Sequence, residues 1–225
     1  FKYFLSLLLV VPIVLLLISQ PDLGQSMLII LTWLALIFVS GINLVIFFGL
    51  FGFFITIIFY LIFFVDKFNY IKIRITSFLD SSSNSYSQAE KASEAIINGG
   101  FFGKGIGEGT LNSKIPEAHT DFIISVISEE FGIIIILLIM LAFIFFAYNV
   151  FKKIRDTNDN VFKMILTGLI SLLLIQAFVH VGVNLRVLPT TGMTLPFLSY
   201  GGSSIISISI ISGIILNLTK RRVTN

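Results

Sequence analysis

An all-α, polytopic membrane helical bundle is the fold class this sequence predicts, and three observations predict it. Of 225 residues, 56% are hydrophobic and only 12% charged, about half the roughly 25% charged that is usual in a soluble domain. Mean hydropathy is +1.00. Several apolar runs are long enough to cross about 30 Å of hydrocarbon, and short segments rich in Pro, Gly, Asn and charge separate them. The same composition excludes other classes. The net charge of +3 comes from basic residues that are dispersed or sit at span ends. No basic face is interleaved with aromatics, so no nucleic-acid partner is expected. Cys is absent, which removes disulfides and thiolate metal sites. Two His residues cannot make a His-only zinc site, and no metal-ligating set is assigned. A carboxylate-bound cation stays open.

Residues 1–65 predict three spans. The first runs from about Tyr3 to Ser19. It has a long apolar core and no small-residue cleavage site, so it reads as a spanning helix and not a cleaved signal. Pro12 within it is tolerated in a membrane helix, with a kink. The chain opens on Phe and not Met, and it is expected to begin inside a longer protein. QPDLGQS (Gln20 to Ser26) predicts a tight turn or helix interruption. The second span runs from about Met27 to Val39, SGIN (Ser40 to Asn43) turns, and the third runs from about Leu44 to Val65.

Residues 66–120 predict one large extracytoplasmic loop, with six basic and six acidic residues and a polar SSSNS stretch at Ser81 to Ser85. Within it, SQAEKASEAIING (Ser87 to Gly99) has helical spacing. Ala89, Ala92, Ile96 and Ile97 fall on one side, and Glu90, Lys91 and Glu94 on the other. A short amphipathic helix on the membrane surface is expected. GGFFGKGIGEG (Gly99 to Gly109) is Gly-rich and flexible. It follows no strand and lacks the GK[ST] ending, so it is not a nucleotide phosphate loop.

Residues 121–225 predict three further spans, from about Phe122 to Phe151, Phe162 to Val183 and Ile205 to Leu218. The fourth is read as one helix, tilted or entering from the loop. A second extracytoplasmic segment at 184–204, NLRVLPTTGMTLPFLSYGGSS, is irregular. Lys152, Lys153, Arg155 and Lys163, with Lys220, Arg221 and Arg222 at the end of the chain, mark inside faces. QPDLG, the long loop and the Pro/Gly segment therefore share the outside.

The sharpest feature is IPEAHTDFIISVISEEFG (Ile115 to Gly132). Asp121 stands where loop meets apolar helix, a costly place for charge. Two readings are open. Asp121, or Thr120 beside it, caps a helix, or the Asp121 carboxylate is a partly desolvated general base. Glu117 and His119 flank it, either to tune it and contact substrate or as solvated loop side chains. Glu129 and Glu130 lie about two turns deeper; at least one is expected to face inward and pair with a cation in a structural role. Arg74, Lys91 and Lys104 suit a phosphate group or simple interface anchoring. Arg186 suits an anionic group or a partner such as Asp22 or Glu130. In SYGGSS, Ser199 offers a hydroxyl for sugar or phosphate, with helix capping the alternative. His180, within the fifth span, suits a bond to a neighbouring helix.

QPDLG, GGFFGKGIGEG, PEAHTDFIISVISEEFG and GMTLPFLSYGGSS stand in the order found in the SEDS family, that of FtsW, RodA and SpoVE. The sequence resembles that family over essentially its whole length, and the FtsW branch most. The resemblance implies a ten-span fold of which these six spans are the C-terminal part. It implies a peptidoglycan glycosyltransferase that polymerises lipid II into glycan strands during cell division. The family's essential loop Asp falls on Asp121, here a general base for inverting transfer. Diphosphate contacts then fall to Arg74, Lys104 and Arg186. The cofactor it leaves room for is a divalent cation, Mg or Mn. The partners it implies are lipid II, a class B penicillin-binding protein (FtsI-like), other division proteins and membrane lipids. The location it implies is the bacterial inner membrane at the division septum. Competing readings are a lipid II flippase, a RodA-type elongation polymerase and a non-catalytic division scaffold.

Overall fold

The computed structural model describes residues 2–79 and 88–220, which contain helix, turn and loop and no strand. The SSSNS stretch at 81–85, Ser87, and Arg221 and Arg222 lie outside the described residues. The first two helices are α1 (Lys2–Ser19) and α2 (Leu23–Val39). α2 starts ahead of its expected Met27 because Asp22 caps it, accepting the Gln25 N–H at 3.0 Å. α3 (Leu44–Phe64) follows the short turn. Buried Trp33 ties the three together. Its indole N–H donates to Ser6 Oγ at 3.2 Å, and its ring meets Phe54 edge-on at 5.5 Å.

The expected loop is largely helical. A 3-10 turn at Asp66–Phe68 leads into α4 (Asn69–Leu79), whose Ile71 joins the core of α1 to α3. α5 (Gln88–Gly99) is the expected amphipathic helix, and its apolar face is turned into the protein. Ala92 and Ala95 are completely buried, because α5 packs on the next helix and on the fifth span. The inward face is Ala89, Ala92, Ala95, Ile96 and Gly99, whereas Ile97 is 76% exposed.

The fourth span is not one helix. It divides into α6 (Ile123–Phe131) and α7 (Ile133–Arg155). Gly132 makes the break at φ 83°, a conformation that favours glycine. A side chain there would run into the Phe101 carbonyl. α8 (Asn160–Asn184), capped by Asp159, and α9 (Gly202–Thr219) complete the chain. α8 is central, packing against α2, α7 and α9. Among the described residues, α7, α8 and α9 are long and apolar enough to cross a membrane, and shorter apolar stretches run Leu5–Ser19, Leu23–Val39 and Leu44–Ile57.

Candidate functional site

The irregular segments meet at one end of the bundle. A Cβ on Gly24, in the first turn of α2, would lie 2.5 Å from Met193 Cγ and 2.7 Å from the Thr191 carbonyl. Glycine there lets α2 close on the Pro/Gly segment. From α4, Arg74 Nη1 donates to the Thr190 carbonyl at 3.2 Å, with its guanidinium 5.9 Å from the Tyr70 ring. Tyr70 in turn donates to the Ile18 carbonyl at 3.2 Å.

Asp121 sits in this junction, half-buried, just ahead of α6. It does not cap that helix: Phe122 occupies the N-cap position and no side chain caps it. Thr120 does not cap either, since its hydroxyl donates to the Glu117 carbonyl and carboxylate at 3.1 and 2.8 Å. The Asp121 carboxylate takes no hydrogen bond or ion pair among the described residues. Burial pushes its pKa above the ordinary 3.8, the Glu117 charge adds to that, and the Arg74 charge opposes both. With Arg74, Gln88, Phe122, Thr190 and Thr191 it lines a polar recess of about 180 Å³. A smaller recess of about 40 Å³ shares Arg74 and Thr190 with the first and is bounded by Arg186, Ser77 and Ala89.

The other predicted residues divide between near and far. Glu117, exposed and in the left-handed conformation at φ 57°, lies close enough to act on Asp121. His119 is exposed, and its carbonyl accepts from Tyr200 N at 2.9 Å. Ser199 is buried with its hydroxyl engaged twice, accepting from Leu195 N at 2.8 Å and donating to the Thr120 carbonyl at 2.6 Å. Arg186 pairs with Glu90 of α5 at 3.0 Å, not with Asp22 or Glu130. Asp22 is the cap of α2, and Glu130 accepts from Gly107 N at 3.3 Å. Lys104 is exposed beside the far end of α6, its backbone N–H on the Glu129 carbonyl. That end is about 12 Å along the helix from Asp121.

Glu129 is fully buried, as one of the pair was expected to be, but no cation meets it among the described residues. Its carboxylate accepts backbone N–H bonds from Thr110, Leu111 and Asn112, each at 3.0 Å, and the Asn98 amide at 2.9 Å. A buried carboxylate so surrounded is satisfied by dipoles in place of a counter-charge. The Gly-rich stretch thus wraps the end of α6. His180 bonds the Met193 carbonyl at 2.7 Å, a segment and not a neighbouring helix. Sequence reasoning left Thr190, Thr191 and Gln88 out of the site. The two hydroxyls in PTTG, inside an otherwise apolar Pro/Gly segment, were the available signal.

An unengaged, partly desolvated carboxylate beside a guanidinium can take a proton from a hydroxyl while an anionic group is held nearby. No group of three His, Asp or Glu able to hold a metal stands among the described residues.

The profile of a family described as "Cell cycle protein", comprising FtsW, RodA and SpoVE, matches residues 1–224. Among similar sequences, a Caulobacter vibrioides protein named "Probable peptidoglycan glycosyltransferase FtsW" is 36% identical over 207 residues, 92% of this chain and 52% of the relative. Proteins of the same name from Nitrosomonas europaea and Wigglesworthia glossinidia brevipalpis are 35% and 40% identical, covering 100% and 87% of this chain and 61% and 52% of theirs. The chain therefore spans about half the length of such relatives. A solved structure titled "Structural coordination of polymerization and crosslinking by a peptidoglycan synthase complex" superposes with TM-score 0.79 at 26% identity, over 99% of this chain and 63% of that one. A crystal structure of Thermus thermophilus rod shape determining protein RodA shares the fold, with TM-score 0.62 at 24% identity over 99% of this chain and 58% of that one.

Proposed function

We propose, from the premise that this chain belongs to the FtsW/RodA/SpoVE family, that the protein it represents is a peptidoglycan glycosyltransferase of the FtsW type. It polymerises lipid II during division, in the bacterial inner membrane at the septum, beside a class B penicillin-binding protein. The observation that carries the reading is Asp121: a half-buried carboxylate with no hydrogen bond of its own among the described residues, facing a polar recess at the loop end of the bundle.

In this reading the acceptor sugar's 4-hydroxyl enters the recess and gives its proton to Asp121 as its oxygen attacks the donor's anomeric carbon. One C–O bond forms, and the bond from that carbon to undecaprenyl diphosphate breaks. Single displacement inverts an α-linked donor to a β-linked glycan. Arg74 stands beside the base, and Arg186 bounds the adjoining recess, an arrangement suited to the leaving diphosphate. Lys104, a helix length away, would meet other parts of the substrate. A Mg or Mn ion, where bound, would offset the diphosphate's charge, with Glu117 as the carboxylate beside the base that would help hold it.

The test uses the full-length protein with its transpeptidase partner and purified lipid II. Polymer with inverted, β-configured linkages is expected, and Asp121→Asn is expected to stop it. Lipid II translocation in liposomes with no polymer formed would favour a flippase instead. Division supported by Asp121→Asn would favour a scaffold.

A further inference from the structure

Among the described residues no hydrogen bond aims the Asp121 carboxylate, so its direction depends on the backbone beneath it. Three consecutive carbonyls of that backbone are held from one side. The His119 carbonyl accepts from Tyr200 N at 2.9 Å. The Thr120 carbonyl accepts from Ser199 Oγ at 2.6 Å, a hydroxyl itself fixed by Leu195 N at 2.8 Å. The Asp121 carbonyl accepts from Asn184 Nδ2 at 3.1 Å, and the same amide donates to the His180 carbonyl at 2.9 Å. Asn184 and Ser199 are 0% and 3% exposed, so water does not compete for these bonds. The donors come from the end of α8 and from the 195–200 segment, over 60 residues along the chain.

We propose that Asn184 and Ser199 are positioning residues that clamp the peptide backbone of residues 120–121 and so aim the Asp121 carboxylate into the recess, without touching substrate. The inference rests on the proposed role of Asp121. It gives a reason for an amide at the end of an apolar helix and for a serine whose hydroxyl is already spent on backbone. Hydrogen bonds to the carboxylate itself would steady it but would also engage the oxygen that must take the proton. Holding the carbonyls instead leaves that oxygen free. A misplacement near 1 Å costs a reacting group about 100-fold.

The experiment compares Ser199→Ala and Asn184→Ala with the parent and with Asp121→Asn in the full-length protein and its partner, using lipid II as substrate. Each clamp variant is expected to lower kcat about 10- to 100-fold with KM within about twofold. Hydrogen exchange at the Asp121 and Phe122 amides is expected to quicken, while protection in α7 and α8 stays as in the parent. Ser199→Thr, which keeps the hydroxyl, is expected to recover most of the rate. Where one alanine variant fails to fold, the other decides. Unchanged kcat, a loss confined to KM, or unchanged exchange at 121–122 overturns the clamp while an inactive Asp121→Asn leaves the base assignment standing. Parental activity in Asp121→Asn overturns both.

Discussion

At the scale of single residues, the proposed chemistry turns on what surrounds one carboxylate. Asp121 is raised above 3.8 by burial and by Glu117, and lowered by Arg74. A base must be ionised to act, so kcat/KM should fall as pH drops through the folded pKa, with its acid limb above the ordinary carboxylate value. The two neighbours supply opposite controls. Arg74→Gln removes a stabilising charge and should move the limb further up. Glu117→Gln removes a repelling charge and should move it down, while its amide oxygen still accepts the Thr120 hydroxyl. Limbs that stay fixed in both variants would mean another group titrates. Arg186 and Glu90 are each 28% exposed, so their pair should contribute no more than about 1 kcal/mol to stability in a double-mutant cycle.

At the scale of elements, short helices and turns hold the site, and their joints are the sensitive places. Glu129→Ala would strand three backbone N–H groups and the Asn98 amide. It should destabilise by about 3 kcal/mol or more and open the 99–114 stretch to proteolysis first. Gly24→Ala lies in the first turn of α2, where alanine would ordinarily help by up to about 1 kcal/mol. Here its Cβ would collide with Met193 and Thr191, so a cost of about 1–3 kcal/mol is expected in thermal unfolding. The six apolar runs and the α5 helix were legible from hydropathy and spacing. The split at Gly132 was not, because Glu129 and Glu130, which interrupt the apolar run just before it, were read as inward-facing charges of one continuous helix, and one glycine inside a long run is a weak signal. α4 was not legible either. IKIRI alternates with a period of two, yet the segment coils so that Tyr70 and Arg74 stack and Ile71 and Ile75 reach the core of α1 to α3.

At the scale of the whole molecule, segments distant in sequence are brought to one end of a helix bundle: the QPDLG turn, α4, the PEAHTD stretch and the Pro/Gly segment. The sequence marked three of these as polar interruptions, and the basic residues at Lys152 to Arg155 placed them on one side. Asp121 stood out because its charge is costly there. Arg186's link to Glu90, the dipole nest of Glu129 and the bonds to carbonyls 119–121 were not legible. The ion pair joins side chains 96 residues apart, and the other two rest mainly on backbone groups, which every residue carries alike, so no local side-chain pattern announces them. The central claim remains that Asp121 takes the acceptor's proton. The most direct measurement is the rate of glycan polymerisation by Asp121→Asn in the full-length protein with its partner, read beside its affinity for lipid II. A rate about 10²- to 10⁴-fold lower with affinity unchanged is expected. Polymerisation at the parental rate would contradict it.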